Sequence, residues 1–551
     1  MTDISGPDDA VAPRAAAALA GDQPHAADPV VAPAAPRHEA EADPKRWIVL
    51  AVLCVNLVLV VAAVSSANVA LPTLARSLGA SQTELQWIVD AYALVFAGLL
   101  LPAGAIGDRF GRKGALQVGL GIFILFSLAA ALSGGAGRLI AARAAMGFGA
   151  ALIMPTTLSV LSNVFPPHER AKAIAIWAGF AGAGGAIGPL MGGWLLSHFF
   201  WGSVFLINVV IGGIALVAGA LLVPTSRDPQ NARLDPVGAA LSVLGLGSFV
   251  FAVIEGPEKG WRSPVTLFAF AVAAVGIAAF VRYERRRRDP MLDIGLFAKR
   301  PFTTGVVTIS MAFFSLFGMF FVVTQYFQFV LGWSPLKAGV AQIPNALAMV
   351  LVAPRSTKVI ARIGQRAAVV SGLAMHATGF VILSTAGRSS SYLPVLVGLV
   401  LIGTGSGITF APTTAMIMAA VPLRRAGMGS GVNDAAREVG GAIGIAVLGS
   451  ILTTAYRSGV APLLVGLRET DAGAARRSIS QAIGVSRSPS VSPQRGAALA
   501  DGARAAFVDG MYLTLRFGAV TALVCAVLVW WLSRGAGTGG TVVTGRGPGG
   551  H

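Results

Sequence analysis

Two cysteines in 551 residues leave no disulfide framework to build on, and only 12% charged residues leave too little for an ordinary soluble surface. Also missing are GxxxxGK[ST], HExxH and GxSxG, so nucleotide-loop, zinc-protease and nucleophile-elbow chemistry have no anchor, and ATP has none as a power source. No metal site and no cofactor is expected. Residues 1-46 are rich in Ala, Pro and Asp and lack an apolar core and a cleavage-like boundary, so they read as a disordered cytoplasmic tail rather than a signal peptide.

What is abundant is apolar: 55% of the residues are hydrophobic and the mean hydropathy is +0.72. A bilayer core needs roughly 20 apolar residues of helix per crossing. About 14 stretches qualify, beginning near Trp47, Leu85, Ala115, Leu139, Ala173, Ser203, Val237, Val265, Thr303, Ala338, Ala367, Tyr392, Met428 and Phe507. The expectation is an all-α integral membrane protein with fourteen crossings. Cys54 and Cys525 fall inside the first and last of these, as small core or lipid-facing residues.

A formal charge of +17 suggests nucleic acid in a soluble protein, so its distribution decides. With the first tail in the cytoplasm, about 20 Lys and Arg fall in the loops after the even-numbered helices, including "VRYERRRRDP", against about six in the short loops opposite. That excess sets topology, with both termini cytoplasmic in the cell membrane, and no nucleic-acid partner is implied. The segment 457-506 adds arginines on the outer face and reads as an exposed insert, disorder included.

The chain repeats itself. "LGAS" to "RFGRK" has a counterpart in "LGWS" to "RIGQR": Gly332 minus Gly79 is 253, and so is Gly364 minus Gly111. "GGAIG" recurs from Gly184 to Gly440, and "GFG" at Gly147 matches "GTG" at Gly403, both with an offset of 256. A shift of eight helices keeps the same orientation, which implies two parallel six-helix halves at 47-223 and 302-533, with two inserted helices at 237-282 and a tail at 534-551.

Three motifs stand in order: "GAIGDRFGRK" from Gly104 to Lys113, "LIAARAAMGFGAA" with Arg143, and "GAIGPLMGG" from Gly185 to Gly193. Together they resemble the major facilitator superfamily, specifically its fourteen-helix drug:proton antiporters of the QacA and EmrB type. The likeness covers roughly Trp47 to Tyr456 plus the last helix.

In the first motif a glycine turn, Gly107 and Gly111, holds Asp108 beside Arg109, Arg112 and Lys113, a cluster able to pair across a contact between the halves and to break as they rock. An ordinary positive loop is the plainer reading. In the third, Gly184, Gly188 and Gly192 repeat every four residues, with Gly193 beside them, giving a flat packing face, while Pro189 favours a kink. The second copy has Ile445 at that place. The resemblance implies that this face seals the outer side.

Arg143 is a charge in an apolar helix, so it faces protein or water, or else snorkels from a site about four residues from the helix end. The resemblance gives the matching Arg a part in proton handling, although Met146 replaces the usual Gln. Asp90 lies about 8 Å into the second helix, where a carboxylate takes up a proton when the cleft is empty and yields it when a cation arrives. The plainer alternative is a cap at the helix mouth. Its counterpart in the second half is Ile343.

In "GVNDAAREVGGAIG", Asp434 and Glu438 share a helix face and Arg437 can pair with Asp434, leaving Glu438 as the spare acid and candidate proton carrier. The resemblance carries both acids over as site residues. It also exposes two departures: Ala63 stands where the pattern LDxTIVNVALP has Asp, and Met349 where QacA-like chains have an acid, which points to a narrower or more weakly charged substrate range. Phe313, Phe317, Phe320 and Phe321, with Gln325 and Gln328, form a stripe that is either packing or a surface for flat cations.

A proton-coupled antiporter, acting as a monomer and exporting lipophilic, cationic drugs or antibiotics by alternating access, is the expected function. An exporter of an endogenous metabolite or lipid and an uncoupled facilitator are the alternatives, with a membrane sensor or structural protein behind them. Neither an enzyme nor a cofactor is called for. Its partners are the small substrate, protons and the bilayer.

Overall fold

A computed structural model describes residues 44–80, 82–226, 235–388 and 390–532. The tails expected at 1-46 and 534-551 therefore lie almost wholly outside the described residues. Among these residues there is no strand, and fourteen helices are long and apolar enough to cross a membrane. They are α1 (Arg46–Leu71), α2 (Glu84–Phe110), α3 (Arg112–Ala131), α4 (Ala136–Val164), α5 (Pro167–His198), α6 (Ser203–Leu222), α7 (Pro236–Pro257), α8 (Pro264–Glu284), α9 (Arg300–Val330), α10 (Pro335–Ile363), α11 (Gln365–Leu383), α12 (Leu393–Ala419), α13 (Leu423–Leu464) and α14 (Pro493–Leu532). Local chemistry marks their starts. Proline opens α5, α7, α8 and α10, where its missing N–H costs nothing. Asp235, Ser263 and Ser334 cap first-turn N–H groups of α7, α8 and α10.

The duplication is visible in the packing. In the first half α1 packs on α5, α2 and α3 on α4, and α3 on α6; in the second α9 packs on α13, α10 and α11 on α12, and α11 on α14. Equivalent residues make equivalent contacts. Gly79 and Gly332 have φ of 61° and 68°, and Gly111 and Gly364 have 107° and 80°, values that L side chains rarely adopt. Gly147 of α4 sits so close to α2 that a Cβ there would lie 2.5 Å from the Tyr92 carbonyl oxygen, and one on Gly403 of α12 would lie 2.2 Å from that of Asn345. Asn345 is Tyr92 plus 253.

The inserted pair joins the bundle through α7, which packs on α2 and α13 and so touches both halves. Trp87 meets Phe251 at 6.1 Å, and Trp261, just beyond α7, donates from Nε1 to Ser450 Oγ at 3.1 Å. The exposed insert at 457-506 is ordered rather than disordered. Helix α13 runs on past Tyr456, two short helices follow at Glu469–Arg477 and Ile479–Ser486, and α14 starts as early as Pro493. Ala475, Ile479, Ala482, Leu499 and Ala503 are buried there, and the Tyr456 hydroxyl donates to the Ala475 carbonyl at 2.9 Å. Small apolar residues in a charged, arginine-bearing segment made enough buried surface to fold it. At 40 residues α14 is about 60 Å long, twice a bilayer core, so about half of it belongs to this cap.

Candidate functional site

The arginine-rich end of the bundle, where α2 meets α3, is fastened between the halves. Asp108 accepts hydrogen bonds from the backbone N–H groups of Gly427 and Met428 at 2.9 and 3.1 Å, capping the first turn of α13 from across the interface. Arg112 holds that carboxylate at 2.8 Å and donates from the same Nη2 to the carbonyls of Leu423 and Arg424, both at 3.0 Å. Both side chains are buried. The six motif positions therefore divide: Asp108 and Arg112 make the contact, Gly107 lets α2 approach Thr156, Gly111 makes the turn, Arg109 lies over the ring of Phe110, and Lys113 is partly exposed.

On α5 the glycine face turns inward to its own half. A Cβ on Gly184 would meet Val61, one on Gly188 would meet the Ala62 carbonyl at 2.6 Å, and one on Gly192 would meet Ser66, all on α1. Contacts to the second half come from the other side of the helix: Gly182 on Met349, Gly185 toward Phe320, and Gly193 on Leu336. Helix α5 continues unbroken through Pro189.

Between these regions lie the buried charges. Arg143 is fully buried, which removes snorkelling: Nε donates to the Ile88 carbonyl at 2.9 Å, Nη1 reaches the Ala63 carbonyl at 3.4 Å, and the guanidinium lies 4.4 Å from the centroid of the Tyr92 ring. Its Nη2 has no acceptor among the described residues. The residue beside it is the one where the family pattern has Asp, so the alanine leaves this cation with carbonyls in place of a carboxylate. Asp90 is partly exposed two residues from Tyr92. Six residues past Glu84, where α2 begins, Asp90 is about 9 Å in, close to the expected depth.

On α13, Asp434 and Arg437 are both buried, with Oδ1 and Nη1 3.7 Å apart, an ion pair but too long for a hydrogen bond. Glu438, the other acid on this helix face, is only partly buried. Its helix packs on α2 and α4 of the first half, where Arg143 lies over the Tyr92 ring. Tyr92 itself is fully buried and donates to the Val60 carbonyl at 3.3 Å. An acid of the second half and a cation of the first thus lie on helices packed across the interface between the halves.

The aromatic stripe on α9 splits by direction. Phe313 stacks on Phe410 of α12 at 4.7 Å and on Phe317 at 5.7 Å, and Phe320 points toward Gly185 of the first half. Phe321 is exposed beside Gly449 and Gln325 bonds back to the Phe321 carbonyl, while Gln328 is partly buried in the wider turn Tyr326–Val330. Neither Tyr92 nor Trp177 stands out in the sequence. The only available signal was an aromatic with a polar handle deep within an apolar helix.

A family model described as Major Facilitator Superfamily matches residues 53–445. The chain is 38% identical over 487 residues to the multidrug efflux pump LfrA of Mycolicibacterium smegmatis, covering 88% of this chain and 96% of that one. It is 33% identical over 491 residues to the methyl viologen resistance protein SmvA of Salmonella typhimurium, covering 88% and 98%. Among solved structures, the human organic anion transporter MFSD10 matches with a TM-score of 0.58 at 15% identity, over 88% of this chain and the whole of that one, a likeness of fold alone.

Proposed function

The chain belongs to the Major Facilitator Superfamily, and from that premise we propose that it exports lipophilic, cationic drugs or antibiotics across the cell membrane in exchange for protons. The observation that carries this reading is the partly buried acid Glu438 on α13, a helix that packs across the interface between the halves on α2 and on α4, which carries the buried cation Arg143. A partly buried acid facing such an interface is placed to exchange a proton for a cation, because neither charge is well tolerated alone in a dry bundle. The fastening of Asp108 to α13 holds the arginine-rich end closed. With that end in the cytoplasm, as the positive charge of its loops favours, the state is closed to the cytoplasm, and rocking of the halves breaks these bonds to admit substrate. The protein works as a monomer, with both termini in the cytoplasm.

Support for the direction of transport comes from the names of its relatives, which are pumps and resistance proteins. The test is transport by the purified protein in proteoliposomes carrying an imposed pH gradient, with a panel of lipophilic cations. Substrate should accumulate against its gradient and cease to do so when an uncoupler collapses the pH difference. Uphill movement that survives the uncoupler would rule out proton exchange.

A further inference from the structure

Arg437 is 1% exposed, yet its Nε, Nη1 and Nη2 find no hydrogen-bond acceptor among the described residues. Asp434 is its natural partner, but that carboxylate is turned to its own helix. Oδ1 accepts from Asn433 Nδ2 at 3.1 Å and Oδ2 lies 3.5 Å from Ser430 Oγ, leaving Nη1 3.7 Å away. What surrounds the guanidinium instead is aromatic: Trp177 of α5 at 4.7 Å and Phe313 of α9 at 5.0 Å. Both rings are fixed. Trp177 donates from Nε1 to Thr157 Oγ1 at 3.0 Å, and Phe313 stacks on Phe410.

A guanidinium whose faces meet rings and whose N–H edge is unmet is costly to bury, and its cost falls when an oxygen acceptor arrives. Its planar fork suits carbonyl and carboxylate oxygens better than an ammonium would. We propose that Arg437 is the substrate's anchor, hydrogen-bonding a carbonyl or carboxylate oxygen of a flat aromatic compound whose rings extend the stack begun by Phe313, Phe317 and Phe410. This rests on the export reading above and adds a substrate class to it. Since Trp177 belongs to the first half and Phe313 to the second, the two rings flank Arg437 together only while the halves are apposed. Their separation lets the compound in and out.

The experiment compares two probes in proteoliposomes under a pH gradient: ethidium, a flat cation without an oxygen acceptor, and norfloxacin, a flat aromatic with a ring carbonyl and a carboxylate. The wild-type protein should export both. Arg437→Lys, which keeps a charge beside Asp434, should raise the KM for norfloxacin at least about tenfold relative to that for ethidium, and Arg437→Gln should raise that ratio further. Norfloxacin should also raise the unfolding temperature of the detergent-solubilised wild type, a shift reduced in Arg437→Lys, which keeps the charge should Arg437→Gln fail to accumulate. Equal loss of both probes, or no loss of either, would overturn the anchor, as would a wild type that exports ethidium and neither moves nor binds norfloxacin. A wild type that exports neither under the gradient would instead remove the export reading itself.

Discussion

Asp108 of α2 caps α13 at the Gly427 and Met428 N–H groups, 319 and 320 residues further along the chain. The helix needs acceptors for its first turn, and the acceptor comes from the opposite half. A bond that satisfies a helix end and joins two moving bodies can be broken only by exposing those donors, so it acts as a latch with a definite cost, of order 1.5–3 kcal/mol for a charged acceptor.

Asp108→Asn should therefore lower the turnover of export about tenfold while leaving protein abundance near wild type. Initial rates normalised to membrane protein, measured beside immunoblots, would check it. A fall in abundance with unchanged turnover would make the contact one of folding alone.

Glu438→Gln should abolish proton-driven export of every substrate, since the partly buried acid on α13, beside the interface between the halves, is then unable to change charge. Asp90→Asn should impair a monovalent cation and spare a neutral compound. Transport of one of each by both variants decides it: equal loss of the two compounds in Asp90→Asn would make Asp90 a coupling residue.

Arg143 has a spare Nη2 beside Ala63. Ala63→Asp should then be tolerated, the new carboxylate pairing with the guanidinium. Ala67→Asp, a turn further along α1 at a site that is also fully buried, should cost at least about 3 kcal/mol and lose expression. Thermal unfolding of both variants in detergent would show the difference, and equal damage would mean that Arg143 cannot reach the new acid.

Gly188→Val should destabilise the protein by about 1–3 kcal/mol or more, because a side chain there meets the Ala62 carbonyl and Ser65 on α1. Pro189→Ala, which restores a backbone donor without adding bulk against α1, should instead lower coupling more than abundance. The ratio of substrate moved to pH gradient dissipated, read alongside abundance, separates the two; equal loss of both in Pro189→Ala would leave it a folding role.

Much of the architecture was legible in the chain because its determinants are local. An apolar run of the right length is a helix in a bilayer wherever it occurs, which yields all fourteen, and an ungapped offset of 253 between glycine turns yields the two halves. The same local logic marked Asp108, Arg143 and the acids of α13 as charges in need of partners. It was unable to say which partners from distant helices they would meet. Whether Arg143 snorkels or burrows depends on whether Ile88 and Ala63, 55 and 80 residues away, bring their carbonyls within reach. Whether Arg437 is neutralised by Asp434 depends on Asn433 and Ser430 holding that carboxylate aside, and its aromatic surroundings come from α5 and α9. The insert at 457-506 folded because its scattered alanines and leucine meet only once α13 and α14 stand side by side. Burial inside a bundle is a property of neighbouring helices, and which helices are neighbours is settled by packing between segments far apart in the chain, so helix, repeat and the pairs within one helix belong to the sequence while the distant partners of its buried charges belong to the tertiary structure.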